Sequence, residues 1–355
     1  MKTKHFICRN IILLFALSAY AVWAQIPNGY YNAIEGKKDK ELKTALYQII
    51  SGNGFRVVGY SGLWDAYQDT DARPDGKVWD MYSNTSNFTF VTDQDRGSGG
   101  TVEGDKYNRE HSFPQSWFES ASADMKSDLF NAYPTDKLVN NKRSNYPYGE
   151  TNGGTYKSNN GFSKLGSCTF SGYSGTVFEP NDQYKGDFAR TYFYIATCYE
   201  NVFSRFGGEM TAGNTYPGYK DWVIELLLKW HRNDLVDSKE TSRNDAVQKK
   251  QHNRNPFIDY PDLVEYIWGN KKGIAFSLTA STSNTDINPV NIKTSNGQIT
   301  VITPEPGCIY LYDTYGNLLR TENIQEEITI PIDRSGIYIL KFQSNTQIIT
   351  RKIRL

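Results

Sequence analysis

Apolar residues recur at helical spacing in the stretch DKELKTALYQIISGNG, where Leu42, Ala45, Leu46, Ile49 and Ile50 form one stripe and Gly52 supplies a stop. The same period predicts helices over GDFARTYFYIATCYENVFSRF and over GYKDWVIELLLKWHRND, the second with Trp222, Val223, Leu226, Leu227 and Trp230 on its buried face. A further helix is expected to begin near Asp237, with Glu240 three residues on as in a capping box. Elsewhere the period shortens. GKVWDMYS and NFTFVTD alternate and read as strands joined by an Asn/Ser turn. Residues 93 to 108 form a Gly- and charge-rich loop, and residues 145 to 176, rich in Gly, Ser, Asn and Tyr, a surface excursion with short irregular strands. After Trp268 the texture becomes that of a linker. From about Ile287, short alternating runs such as GQITVIT, CIYLYDTYGNLLR and GIYILKFQ are separated by turn residues, the spacing of a small all-β sandwich.

The expected fold class is therefore α+β: a mainly helical domain over residues 25–273, a linker at 274–286 and a β-sandwich over 287–355. Residues 1–24 carry a basic start (Lys2, Lys4, Arg9) and the apolar run IILLFALSAYAVWA, with Val22 and Ala24 at the small positions before a cut, as in a signal peptide. The run is shorter than the ~20 residues that a membrane span needs, so no span is expected in the mature chain. Lysine plus arginine and aspartate plus glutamate balance at 39 each, which gives no whole-protein pull toward nucleic acid or membrane. Loss of the leader would leave about −3. Export permits disulfides; of Cys168, Cys198 and Cys308, the first two are the better pair, with free thiols the alternative.

The chemistry concentrates around one of the four histidines. In YNREHSFPQSWF, Glu110 and His111 stand at the end of an expected strand. DLFNAYPTDKLVNNKRSNYPYGE follows, with a strand over residues 129 to 133, Pro134 as first helical residue, and Asn140 and Arg143 three apart on one helix face. Strand, loop, strand and helix in that order suit phosphodiester cleavage. A neutral imidazole can take a proton from water at physiological pH. A carboxylate and an amide oxygen are hard ligands of the kind Mg²⁺ prefers. Adjacent strand residues point to opposite faces, so an irregularity near Ser112-Phe113-Pro114 is expected if Glu110 and His111 serve one site.

Four blocks in order, NREHSFPQSW, DLFNAYPTDKLVNNKRSN, FEPNDQYKGDFARTYFY and RNDAVQKKQHNRNPFIDYPDLVEYIW, resemble the bacterial endonuclease I family, exported nucleases with a ββα-metal (His-metal finger) core. The likeness covers roughly residues 30 to 270. It implies that His111 is the general base, that Glu110 and Asn140 hold one Mg²⁺ (or Ca²⁺ or Mn²⁺), and that DNA is cut without sequence preference to 5′-phosphate products, with RNA left open as a substrate. Some members carry a histidine where this chain has Phe130, and a cysteine-rich stretch that brings an arginine to the phosphate is absent. Arg143 is the first candidate for that catalytic and phosphate-contacting part and Arg190 the second, although either could instead pair with Glu179, Asp182 or Asp187. His231 and His252 are read as structural or exposed. Arg243 and Arg254 are candidates for the nucleic-acid path or for a solvated helix surface.

The C-terminal motifs DTYGNLL, SGIYIL and TRKIRL resemble the sorting domain of exported Bacteroidetes proteins, which implies secretion machinery as a partner and a secreted or cell-surface location, or the periplasm without it. A monomer is expected. Two other classes stay open: an exported binding protein with an inactive nuclease-like domain, and a metal-dependent phosphoesterase for small substrates.

Overall fold

The computed structural model describes residues 26–52, 54–278, 290–295, 297–303, 306–313, 318–332, 336–344 and 348–354. The expected leader and most of the expected linker lie outside these residues. The chain divides after Phe276 into two compact units.

The helices of the first unit are α1 (Asp39–Ile50), α2 (Leu63–Thr70), α3 (Gln115–Phe118), α4 (Lys137–Arg143), α5 (Lys185–Cys198), α6 (Glu200–Phe203), α7 (Asp221–Asn233), α8 (Ser238–Gln251), α9 (Pro256–Asp259) and α10 (Leu263–Ile267). The predicted stripes are the buried ones: Leu42, Ala45, Leu46, Ile49 and Ile50 on α1, and Trp222, Val223, Leu226, Leu227 and Trp230 on α7. α5 is buried along its whole length and packs against α1, α7 and α9. Its polar side chains are satisfied internally: Arg190 grips Glu240, Asp187 takes Lys239, and Thr191 meets the Tyr133 hydroxyl. Asp237 caps α8 by accepting the Glu240 N–H at 2.9 Å. The Glu240 carboxylate is committed to Arg190, so only half of the expected capping box forms.

Two antiparallel strands, β1 (Tyr107–His111) and β2 (Ala132–Asp136), pair with Glu110 opposite Tyr133 and His111 opposite Ala132. The second strand lies later than the sequence suggested, and Pro134 is inside it rather than opening a helix. Two local facts explain the shift. The Ser112 N–H bonds the Asn131 carbonyl at 2.9 Å, so alternation along the ladder puts Pro134 in a non-hydrogen-bonded pair with Arg109, where a missing N–H costs the ladder nothing. Asp136 is then the N-cap of α4, its Oδ1 accepting the Val139 N–H at 3.0 Å.

The strands expected over GKVWDMYS and NFTFVTD do not form among the described residues. Val78 donates to the Phe88 carbonyl at 3.0 Å, but the Tyr82 and Thr89 N–H groups go to the carboxylates of Asp80 and Asp93. Their apolar residues instead gather on β1, where Val78, Phe88 and Tyr107 form a cluster. The excursion after α4 contains a small antiparallel sheet of β3 (Tyr156–Lys157), β4 (Lys164–Ser167) and β5 (Thr176–Glu179). Cys168 and Cys198 are not paired; each is a free thiol, and Cys198 is buried.

The second unit is all-β: β6 (Asn291–Ser295), β7 (Gln298–Ile302), β8 (Gly307–Tyr312), β9 (Leu318–Ile324), β10 (Glu327–Pro331), β11 (Ile337–Gln343) and β12 (Ile348–Arg354). They form two antiparallel sheets, ordered β10-β7-β6 and β12-β11-β8-β9. Residues at spacing two (Ile299 and Val301, Ile309 and Leu311, Leu340 and Phe342) supply a shared core. The molecule is α+β, a helical region followed by an all-β one.

Candidate active site

β1, β2 and α4 follow the ββα order. Pairing along β1 is regular through His111, without the irregularity expected there. Its side chains therefore divide by face. Asn108 and Glu110 meet α4, while Arg109 and His111 lie on the other face with Tyr60.

On the first face the Glu110 Oε1 accepts from the Arg143 Nη1 at 2.6 Å and from the Tyr82 hydroxyl at 2.8 Å. Arg143 also donates to the carbonyls of His111 (2.8 Å) and Ser112 (2.5 Å), so one guanidinium ties down three consecutive residues at the strand end. It is 1 % exposed, with its guanidinium over the Tyr148 ring at 4.8 Å. Burial raises the Glu110 carboxyl to a pKa of about 7, against the pull of Arg143 and Tyr82. Asn140, one α4 turn from Arg143, donates from Nδ2 to the Asn108 Oδ1 at 2.7 Å.

On the second face the His111 ring is 8 % exposed. Its Nε2 lies 2.9 Å from the Lys126 carbonyl. A carbonyl only accepts, so Nε2 carries the proton and Nδ1 holds the lone pair. Burial lowers the imidazole pKa to about 4, helped by the charges of Arg109, Arg143 and Lys126, so the ring is neutral at ordinary pH. The Tyr60 ring stacks on it at 6.0 Å and 14°.

The remaining candidates lie elsewhere. Arg190 is fully buried, with Nε and Nη2 each 2.6 Å from Glu240. Arg243 and Arg254 are buried in ion pairs with Asp71 and with Asp245 and Asp259. His231 is buried and His252 exposed. Phe130 is in the core against Tyr194. Sequence reasoning missed Asn108 and Arg109, although the two-residue period of a strand places each beside Glu110 or His111. It had no local signal for Tyr82, 28 residues before Glu110, or for Tyr60.

The donor types are those a hard cation takes, although the Glu110 carboxylate is buried on Arg143. Among the described residues no trio of His, Cys, Asp or Glu gathers to hold a metal. With its Nδ2 given to Asn108, the Asn140 amide keeps its oxygen for another partner, and Glu110 supplies a carboxylate on the same side of β1. One carboxylate and one amide suit Mg²⁺, which keeps several waters and binds substrate phosphate, and not a closed zinc site.

A neutral imidazole with a fixed tautomer on one face of β1, and a carboxylate and an amide on the other, are residue types that a phosphodiester hydrolase, a nuclease, uses. The model of the family Endonuclease I matches residues 38–262. An extracellular ribonuclease of Bacillus amyloliquefaciens is 35 % identical over 247 residues, 67 % of this chain and 78 % of its own length. An extracellular ribonuclease of Bacillus subtilis (strain 168) is 34 % identical over 261 residues, 72 % and 83 % of the two chains. The chain belongs to the Endonuclease I family.

Proposed function

We propose that the protein is an exported, metal-dependent endonuclease that hydrolyses DNA and RNA without sequence preference. The carrying observation is the His111 Nε2–Lys126 bond, which leaves Nδ1 as a proton acceptor in a neutral ring. In this reading Nδ1 takes the proton of an attacking water. Glu110 and Asn140 would hold the divalent ion, which when bound neutralises charge on the phosphate. Arg143 is a positioning residue, since its guanidinium is turned to Glu110 and two carbonyls. Arg190 serves the α5–α8 interface. A water nucleophile needs no 2′-hydroxyl, so both nucleic acids are substrates and no cyclic ends form; with the 3′-oxygen as the leaving group, the fragments carry 5′-phosphates and free 3′-hydroxyls. The relatives' names, extracellular ribonucleases, support RNA as a substrate and export as the destination. The leader-like residues 1–24 agree with export, and among the described residues no helix is long and apolar enough to cross a membrane. The β unit is read as the sorting domain. Nonspecificity follows from contacts to the shared backbone.

Plasmid nicking and RNA digestion, each with and without chelator, test the proposal. Both should stop with chelator and resume with Mg²⁺. His111→Ala should fold normally and lose roughly 10²–10⁴-fold in rate. Full activity in purified His111→Ala, or 2′,3′-cyclic ends on RNA fragments, would overturn it.

A further inference from the structure

Four arginines of the first unit are buried on carboxylates, and Arg109 beside His111 is not. Arg143, Arg190, Arg243 and Arg254, all buried, each hold a carboxylate. Arg190 and Arg243 do so with the edge formed by Nε and Nη2, at 2.6 and 2.6 Å to Glu240 and at 2.8 and 3.2 Å to Asp71. Arg109 presents the same edge to no carboxylate among the described residues. Its Nη1 donates to the Tyr60 carbonyl at 2.9 Å, its Nη2 makes no described bond, and its Nε is buried with no partner; the Nε of Arg143 is unpartnered too, but both of that residue's terminal nitrogens are bonded. A buried N–H without an acceptor is destabilising, so the unpaired edge calls for an explanation.

The guanidinium is held in place. It lies 3.6 Å over the Tyr60 ring and 4.5 Å from the centre of the Trp64 ring. Stacking of this kind fixes the plane of the fork and leaves its in-plane donors to a ligand. The position is also specific. Arg109 is two residues before His111 on the same face of β1, and the Tyr60 ring that covers it also stacks on the imidazole. Lys126, whose carbonyl orients His111, has its ammonium 5.8 Å from the same ring and no carboxylate partner among the described residues. Two cations thus stand beside the base without a protein anion.

We propose that Arg109 is a substrate-contacting residue, whose Nε–Nη2 edge takes the oxygens of a polynucleotide phosphate beside His111. A tetrahedral phosphate offers two oxygens to that fork as a carboxylate does. Tyr60 and Trp64 are its platform. The inference rests on the assignment of His111 as the base.

The test measures kcat/KM on a single-stranded oligonucleotide over a range of KCl concentrations at fixed excess Mg²⁺, with the full chain. Arg109→Gln should lower kcat/KM on the order of 10²-fold, as for loss of a preorganised donor. It should also flatten the slope of log(kcat/KM) against log[KCl] by about 0.7, the value for one single-strand phosphate. Arg109→Met, a neutral unbranched side chain, should flatten it equally. Arg109→Lys, which keeps the charge but not the fork, should lose rate yet retain the slope. A wild-type slope in either neutral variant, or a flattened slope in Arg109→Lys, would overturn the inference and leave Arg109 as a support for Tyr60. An inactive His111→Ala alongside such a result confines the failure to Arg109, whereas an active His111→Ala removes the site itself.

Discussion

At the scale of single residues, the site depends on side chains whose hydrogen-bonding roles admit one solution. Arg143 can only donate, and what it meets is one carboxylate and two carbonyls at the end of β1. Arg143→Met should leave the Glu110 carboxylate buried without its cation and cost roughly 3–5 kcal/mol, read from urea midpoints. Arg143→Lys should recover only part, because an ammonium cannot span the three acceptors as the planar fork does. A residue that merely touched substrate would change rate and leave the midpoint alone. His231 offers a test of pH. The Arg190 Nη1 lies 3.4 Å from its Nδ1, which must accept, so the ring is neutral. Burial first, then the charge of Arg190, lowers its pKa to about 4. Unfolded histidine titrates near 6.5, so between these values the unfolded chain binds a proton that the folded chain does not. This contribution is complete above pH 6.5 and is lost as pH falls toward 4. His111 adds a loss of the same sign in the same window. His231→Gln should therefore lose less stability than the wild type between pH 7 and pH 4.5, by about 1–3 kcal/mol. Equal losses would show that His231 is not buried as a neutral ring.

At the scale of elements, the ββα unit is held at one junction. Asp136 ends β2 and caps α4, and its Oδ2 accepts the Gly104 N–H at 2.6 Å, so one carboxylate fixes the helix start and the loop before β1. Its own N–H goes to Asp80, which burial raises to a pKa of about 7. Asp136→Ala should cost about 1–2 kcal/mol from the cap. Because α4 carries both Asn140 and Arg143, nicking activity should fall by more than the loss of folded protein. An Asp136→Ala enzyme as active as the wild type per folded molecule would show that the cap supports stability alone.

For the whole molecule, the two compact units carry separate cores. The helical unit contains every candidate catalytic residue, and the family match ends within it at residue 262. A chain truncated after Phe276 should keep its helical circular dichroism and its nicking activity. Loss of cooperative unfolding in that chain would mean that the β unit is required for folding.

The sequence alone determined what depends on short-range periodicity. The stripes of α1 and α7, the cap of α8 and the alternation of the C-terminal strands were readable because burial of one face imposes a period of 3.6 or 2 on neighbouring residues. The order strand, strand, helix that carries Glu110, His111 and Asn140 was readable too. Tertiary structure decided what each charged group faces. Arg143, Arg190 and Arg243 look alike in sequence, and only the fold gives each a carboxylate while leaving Arg109 without one. It also decided where β2 begins, since Pro134 fits a strand or a helix start by its own preference and the ladder register selects the strand. GKVWDMYS and NFTFVTD failed as strands for a local reason that their alternation hid: Asp80 and Asp93, side chains within the segments, took backbone donors that a ladder would have used. Partners of this kind come from side chains as well as from sequence neighbours, and a periodic pattern carries no record of them.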